Sequence, residues 1–348
     1  MAVWMIRAGS HGEYEQKFIQ EKKVFVTWDD LNIDLSKLQQ RNELKIMMAK
    51  LFPESKPKTI QNWVSQIWPF AHEIKKKDLI ILPLKFQRAI QIGEITGDYT
   101  FEPKGPSPYF HWRSVEWIGE AIPRVNFGKD LLNTFGAFLT ICRIKKHNAE
   151  ERILNMRINK WKPEKMADIL REPKSIEEVD EDSSETIDLE EAGLDQIAKL
   201  INAKFKKHDF TRLVEAILKA QGYVTYLSPE GPDGGADILA GSGTLGFDNP
   251  RLCVEVKSGE KIDRPTVDKL IGAVQKFRAT EGLFVSWEGF KSNVQKDCAK
   301  DFFHVRLWTQ KEFLEALFSQ YDRLDEDIKA ELPLKRIWTV AAQDEEQG

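Results

Sequence analysis

Hydrophobic and polar residues alternate along the first third of the chain, and this pattern predicts short strands. The candidate strands are residues 3–7, 24–28, 78–83, 89–99 and 109–117. Between the second and the third, the apolar spacing becomes helical, and Asp34 and Thr59 are suited to begin two helices. We therefore expect a small barrel with a helical insertion over residues 1–159.

A polar, acidic stretch separates this segment from a second folded part. Residues 160–193 combine prolines, serines and acidic residues that could bury little surface, so we predict a flexible linker there. Helical and strand patterns then alternate over residues 194–320. They start with a helix over residues 194–205 and a second, amphipathic helix that Asp209 could cap. This order predicts a mixed sheet covered by helices, followed by a C-terminal tail over residues 321–348.

Composition excludes several classes of protein. The sequence contains no signal-peptide core and no run of about 18 apolar residues, so we expect a cytoplasmic protein without a membrane partner. Scattered cysteines and histidines and the absence of a Walker loop argue against a disulfide framework, a zinc site and an NTPase motor. The net charge is −4, but residues 171–191 alone carry −8, which leaves +4 for the rest. That remainder is compatible with phosphate binding.

Candidate chemistry is concentrated in residues 235–257. Asp237 follows a glycine-rich turn and opens an apolar segment, and Glu255 and Lys257 lie two positions apart on the next one. Side chains two apart on a strand share a face, so pairing of the two segments would bring Asp237 to Glu255 and Lys257. Two carboxylates, with the backbone carbonyl of Val256, form an oxygen site suited to Mg²⁺ beside an amine that can contact a phosphate or a water.

These residues resemble the active-site pattern of a known family. Gly234-Gly235-Ala236-Asp237 followed by Glu255-Val256-Lys257 resembles the PD-(D/E)xK nucleases, in the form of Mrr-like type IV restriction endonucleases, over about residues 208–320. Ala236 departs from the proline in the superfamily name. The resemblance implies DNA hydrolysis with Mg²⁺, for which Mn²⁺ can substitute, and Asp237, Glu255 and Lys257 as catalytic residues.

Two further residues are candidates for the same site. Glu215 lies on the helix that precedes these strands, and the resemblance supports a helix carboxylate as an additional catalytic group. Gln275 lies on the helix that follows the strand of Lys257 and could reach a phosphate or a water.

The N-terminal segment has a resemblance of its own. Residues 4–9, 77–80 and 92–99 resemble the EVE group of PUA-like barrels, over about residues 1–158. This likeness implies recognition of a modified base that is taken out of the stack into an aromatic pocket. The candidate contacts are Arg7, Ser10, Trp28, Trp68, Asp98 and Tyr99.

The sequence thus predicts an α+β protein of two domains. An N-terminal PUA-like (EVE-type) β-barrel would read a modified base, and a C-terminal α/β PD-(D/E)xK domain with a mixed central sheet would cut DNA. Cutting both strands requires two active sites, so we expect a homodimer or a higher homo-oligomer. Two alternatives remain open: a non-catalytic reader of modified nucleic acid built on the nuclease fold, and a nuclease that acts in repair or on RNA.

Overall fold

The computed structural model describes residues 1–136, 139–164, 188–229, 235–291 and 294–338. They form two compact units, one over Met1–Asp195 with Trp338 and one over Gln196–Ile337. Residues 165–187 of the predicted linker, Gly234 of the predicted turn and residues 339–348 of the predicted tail lie outside the described residues. The domain boundaries drawn from the sequence therefore stay a prediction.

The first unit is built on a sheet of eight described strands. Their bounds are β1 Val3–Ile6, β2 Lys23–Val26, β3 Leu79–Leu84, β4 Ala89–Ile95, β5 Thr100–Phe101, β6 His111–Trp117, β7 Ile122–Pro123 and β8 Ile141–Ile144. The path runs β2-β6-β4-β3-β1-β8, with β5 on β6 and β7 on β4. The described strands leave this path open between β2 and β8, so the closed PUA-like barrel stays a prediction.

Both faces of this sheet are covered. The helices are α1 Glu15–Glu21, α2 Arg41–Leu51, α3 Pro57–His72, α4 Lys129–Phe135 and α5 Ala149–Ile158. Strand alternation sends Trp4 and Ile6 into one hydrophobic core and Val3 and Met5 into another. The predicted helix start at Asp34 was wrong: Asp34 accepts a hydrogen bond from the backbone of Ser36 in a short 3₁₀ turn, and α2 begins later.

The second unit contains a mixed sheet, as the sequence predicted. Its described strands are β9 Val224–Leu227, β10 Ile238–Ser242, β11 Asp248–Lys257, β12 Glu281–Ser286 and β13 Val305–Trp308, in the order β13-β12-β11-β10-β9. The strands β9, β10 and β11 pair in antiparallel fashion, whereas β11, β12 and β13 run parallel. Parallel strands require crossover connections, which here contain helices.

Helices cover this sheet. They are α6 Leu189–Lys204, α7 His208–Ala220, α8 Arg264–Lys276, α9 Val294–Asp297, α10 Gln310–Gln320 and α11 Glu326–Glu331, of which α6 begins in the first unit. Helix α7 buries Phe210, Leu213 and Ile217, and α8 packs on Cys253 and Phe284. Asp263 caps α8, as its position before Pro265 indicates. None of the helices in the described ranges is long and apolar enough to cross a bilayer.

Candidate active site

The hairpin of β10 and β11 brings Asp237 to Glu255. Ile238 pairs with Val254, so the preceding and following residues face each other across the hairpin. The backbone N–H of Asp237 donates to Val254 O at 2.9 Å, and Asp237 Oδ2 accepts from the backbone N–H of Val256 at 2.6 Å. Backbone bonds on both sides of the Asp237 side chain thus fix its direction toward the end of β11.

Lys257 completes a cluster with these two carboxylates. Its Nζ lies 2.6 Å from Glu255 Oε1 and 3.8 Å from Asp237 Oδ2. The side chains of Asp237 and Glu255 are 19% and 17% exposed, whereas that of Lys257 is 41% exposed. The acids are therefore held in place, and the amine is accessible to a ligand from solvent.

The negative charge of this cluster affects the pKa of a neighbouring thiol. Cys253 is fully buried on β11, two residues before Glu255 and on the same face. Burial raises the pKa of Cys253, and the charges of Glu255 and Asp237 raise it further, to about 12. The thiol therefore stays protonated near neutral pH and acts as part of the core.

The donor set fits a divalent cation that keeps some of its water. Asp237 and Glu255 supply carboxylate oxygens, and the described residues contain no group of three or more His, Cys, Asp or Glu that could enclose a metal by themselves. Mg²⁺ is commonly held by one or two carboxylates together with waters and substrate phosphates. The residues present therefore suit a cation that is shared with a phosphate ligand.

Two parts of the chain match known family models, and one of them contains this cluster. Residues 202–317 match the family model Mrr_cat, described as a restriction endonuclease. The matched residues lie within the second unit, which is thus similar over this range to restriction endonucleases. Residues 4–134 match a domain of unknown function, DUF8426, so the EVE-type assignment of the first unit stays a prediction. No curated protein matches the chain.

Solved structures give distant likenesses only. The DNA modification-dependent restriction endonuclease AspBHI is 14% identical, with 74% of this chain and 67% of that chain covered and a TM-score of 0.33. The MspJI restriction endonuclease in complex with a 27-mer oligonucleotide is 14% identical, with 96% and 80% covered and a TM-score of 0.31. TM-scores below about 0.5 do not establish a common fold, so neither likeness supports a conclusion about this chain.

Glu215, on α7, is not brought to the cluster. Its Oε1 accepts from Thr225 Oγ1 at 2.7 Å and lies 3.1 Å from Lys219 Nζ. Thr225 pairs with Ala240, and side chains alternate along β10, so Thr225 faces the opposite side of the sheet from Glu255. The sequence-based placement of Glu215 beside Glu255 is corrected accordingly, because its helix packs on the other face.

Gln275 lies on the last turn of α8. It is exposed. Because α8 connects two parallel strands, it runs back toward the start of β11, and its last turn lies near Gly282, which pairs with Cys253. Gln275 thus lies beyond Cys253, at the end of the helix away from Lys257.

Two groups near the cluster carry no recognisable sequence signal. Ser228 donates its backbone N–H to Asp237 O at 2.9 Å and its hydroxyl to Ala236 O at 2.6 Å, which anchors the start of β10. The backbone N–H of Lys207 donates to Ser258 Oγ at 3.3 Å, next to Lys257. The contact of Lys207 with Ser258 joins segments that are far apart in sequence, so only the folded chain reveals it.

In the first unit, Asp98 and Tyr99 line a common cleft. It has a volume of about 460 Å³, and its lining includes Ser36, Lys75, Lys76, Asp98, Tyr99 and Arg113. Tyr99 Oη accepts from the backbone N–H of Leu35 and donates to His111 Nδ1 at 2.7 Å. Burial lowers the pKa of His111 to about 4, so the ring is neutral and can accept this bond.

The other candidates for base contact lie in different surroundings. Trp28 is 2% exposed in the core, so the prediction that it stacks on a base is corrected. Trp68 is half-buried and stacks on His72 at 3.7 Å between ring centroids. Ser10 is exposed. Burial lowers the pKa of Arg7, the nearby charges of Asp188 and Glu191 oppose this effect, and its guanidinium donates to Phe135 O at 3.4 Å.

Proposed function

We propose that this protein is a modification-dependent DNA endonuclease that hydrolyses phosphodiester bonds with Mg²⁺. The observation that carries the proposal is the convergence of Asp237, Glu255 and Lys257 within the residues that match the restriction endonuclease family. Mn²⁺ is expected to replace Mg²⁺, because both are bound by carboxylate oxygens.

Each residue has a distinct part in this proposal. Asp237 and Glu255, with the carbonyl of Val256, would hold the cation, which when bound supplies charge to polarise a phosphate and to lower the pKa of a water. Lys257 would orient the attacking water or stabilise negative charge on the phosphate, because its amine is half-exposed at the edge of the cluster. The bond from Val256 N–H keeps Asp237 directed at this position.

The substitution Asp237→Asn tests this assignment. Its amide oxygen can still accept from Val256 N–H, so the fold is retained while the charge is lost. We expect cleavage of a plasmid with Mg²⁺ to fall by about 10³-fold or more, as is common when electrostatic catalysis is removed. The exposed substitution Glu315→Gln in α10 is the control and should retain full activity.

Two results would refute the nuclease. Cleavage by Asp237→Asn equal to that of the wild type would show that Asp237 has no part in hydrolysis. Failure of the folded wild type to cut any modified or unmodified plasmid, together with no Mg²⁺ or Mn²⁺ binding by calorimetry, would instead favour the alternative of a non-catalytic reader. Cleavage of RNA in place of DNA would identify the other alternative.

We further propose that the first unit selects a modified base through the cleft at Asp98 and Tyr99. Its volume of about 460 Å³ lies within the range of small-molecule sites, and it combines an aromatic ring with polar groups. Enzymes that act on a single base commonly take it out of the stack into such a pocket.

Binding by full-length protein in EDTA tests the cleft. Duplexes with 5-methylcytosine, 5-hydroxymethylcytosine or N6-methyladenine are compared with an unmodified duplex. We expect Asp98→Ala to reduce the preference for the modified duplex by about tenfold, which corresponds to the loss of one good base contact. Glu102→Ala, an exposed acid nearby, should leave the preference intact. Equal preference in both variants would exclude Asp98 from base selection.

A homodimer remains part of the proposal, since one active site of this type cuts one strand at a time. Sedimentation of the protein with a specific duplex should give a complex that contains two protein chains per duplex. A monomer on the duplex, together with a rate of double-strand cleavage that rises in direct proportion to protein concentration, would contradict the homodimer.

A further inference from the structure

Three cationic side chains converge at one edge of the first unit. Lys85 and Arg88 belong to the turn between β3 and β4, and Arg124 directly follows β7, which pairs with β4. The side chains of Arg88 and Arg124 are only 7% and 5% exposed. Buried guanidinium groups are costly unless anions compensate them, so the fold requires anionic groups at this position.

In this structure the anions are two carboxylates from the first turns of α6. Glu191 and Asp195 lie one helical turn apart and so face the same side. Arg124 binds Asp195 through two hydrogen bonds of 2.7 Å, and Arg88 Nη2 donates to Asp195 at 2.8 Å. Lys85 Nζ lies 3.2 Å from Glu191. All five residues belong to the unit that ends at Asp195.

The two carboxylates do not satisfy the cluster completely. The Nε of Arg88 is buried and has no hydrogen-bond partner among the described residues. A guanidinium fork suits phosphate as well as carboxylate, and a phosphate presents more acceptor oxygens in a single group. The carboxylate oxygens of Glu191 and Asp195 can therefore stand in for the oxygens of a phosphate.

We propose that Lys85, Arg88 and Arg124 form a binding site for the backbone phosphates of duplex DNA, which the first turns of α6 occupy when DNA is absent. This inference rests on the proposed action on DNA and adds a second contact to it. DNA and α6 compete for the same cations, so DNA binding releases residues 188–195. Because α6 continues past Asp195 into the second unit, occupation of the site alters the segment that leads to the endonuclease domain.

Such an exchange is feasible energetically. Buried ion pairs contribute little net stability, because the loss of hydration offsets most of their attraction. Replacing the carboxylates by phosphates keeps the guanidinium groups paired, and DNA additionally releases condensed counterions. The competing view is a permanent structural anchor, in which α6 stays bound whether or not DNA is present.

Hydrogen exchange of the wild-type full-length protein separates the two views. The protein is measured in EDTA with and without an unmodified 20-bp duplex, while fluorescence anisotropy reports binding in the same sample. We expect amides of residues 188–195 to exchange at least tenfold faster when the duplex is bound. Binding with unchanged or slower exchange would overturn the inference alone. No binding of any DNA would overturn both it and the proposed function.

A matched pair of variants tests the competition independently. Glu191→Gln with Asp195→Asn removes the intramolecular anions, and Glu190→Gln with Glu326→Gln removes the same two charges from exposed positions. We expect the first pair to bind the 20-bp duplex about tenfold more tightly and with a salt dependence steeper by about two. The control pair should show neither effect, and Lys85→Gln added to the first pair should reduce the gain. Equal affinities in both pairs, or a gain that Lys85→Gln leaves unchanged, would overturn the inference.

Discussion

In the proposed mechanism Lys257 would compete with a metal ion for the carboxylates of Asp237 and Glu255, so its removal should have opposite effects on metal binding and on cleavage. Its ammonium lies 2.6 Å from Glu255 and 3.8 Å from Asp237 and is 41% exposed. Half-exposed ion pairs contribute up to about 1 kcal/mol each. Two such pairs represent about 1–2 kcal/mol, which corresponds to a 5- to 30-fold change in affinity.

We therefore expect Lys257→Met to bind Mn²⁺ about tenfold more tightly than the wild type while cleavage falls by 10²- to 10⁴-fold, as is typical for loss of a group that transfers or orients a proton. Calorimetry with Mn²⁺ in the absence of DNA gives the affinity, and plasmid cleavage under single-turnover conditions gives the rate. The thermal stabilisation by Mn²⁺ should increase in the variant, because tighter binding stabilises the folded state further.

The control is Lys269→Met, which removes an exposed lysine from α8 in the same domain and should change neither quantity. An unchanged or weaker affinity for Mn²⁺ in Lys257→Met would show that the ammonium does not occupy the metal position. Retained cleavage would show that Lys257 has no part in the reaction. Either result refutes the corresponding half of the reasoning.

Two further outcomes follow from the geometry. Glu215→Gln should keep cleavage within about twofold, because Glu215 is buried on the face of the sheet opposite Glu255 and the amide oxygen of Gln can still accept from Thr225; a loss comparable to that of Asp237→Asn would contradict this placement. Burial opposes the ionisation of Glu191, yet Arg124, Arg88 and Lys85 lower its pKa from 4.5 to about 2. Protonation of Glu191 leaves these cations with one anion fewer, so the folded state loses stability as the pH falls from 4.5 toward 2. Glu191→Gln should therefore reduce the dependence of the melting temperature on pH over this range.

The cluster at Asp237, Glu255 and Lys257 was accessible from sequence because it depends on strand periodicity. Residues two apart on β11 share a face whatever surrounds the strand, and only a short glycine-containing loop over residues 243–247 separates β10 from β11, which makes a hairpin the simplest pairing. The register of Ile238 with Val254 then places Asp237 at the right end. The mixed order of the sheet followed from the same local patterns.

Side chains whose surroundings depend on packing were predicted less well. Trp28 has the chemistry of a stacking residue, but the segment that follows β2 buries it in the core, and aromatic character alone cannot distinguish a stacking position from a core position. The sequence shows that Glu215 lies beside the apolar stripe of α7. It does not show which face of the sheet α7 covers, and in the structure that face is the one opposite Glu255. The cleft at Asp98 and Tyr99 depends on a chain of contacts through Leu35 and His111 that spans the unit.

The acidic stretch predicted as a linker ends in residues that form buried ion pairs in the folded chain. Glu191 and the residues before it were interpreted as a solvated linker, because blocks of like charge seldom bury. In the structure α6 begins at Leu189, where acidic side chains favour a helix N-terminus, and Glu191 then meets cations from about residues 85–124. Lys85, Arg88 and Arg124 contribute to the net charge of +4 that the chain carries outside residues 171–191. In the proposed exchange, the part of this charge that DNA meets would depend on whether α6 occupies the cationic cluster, and the net charge of the chain does not contain that information.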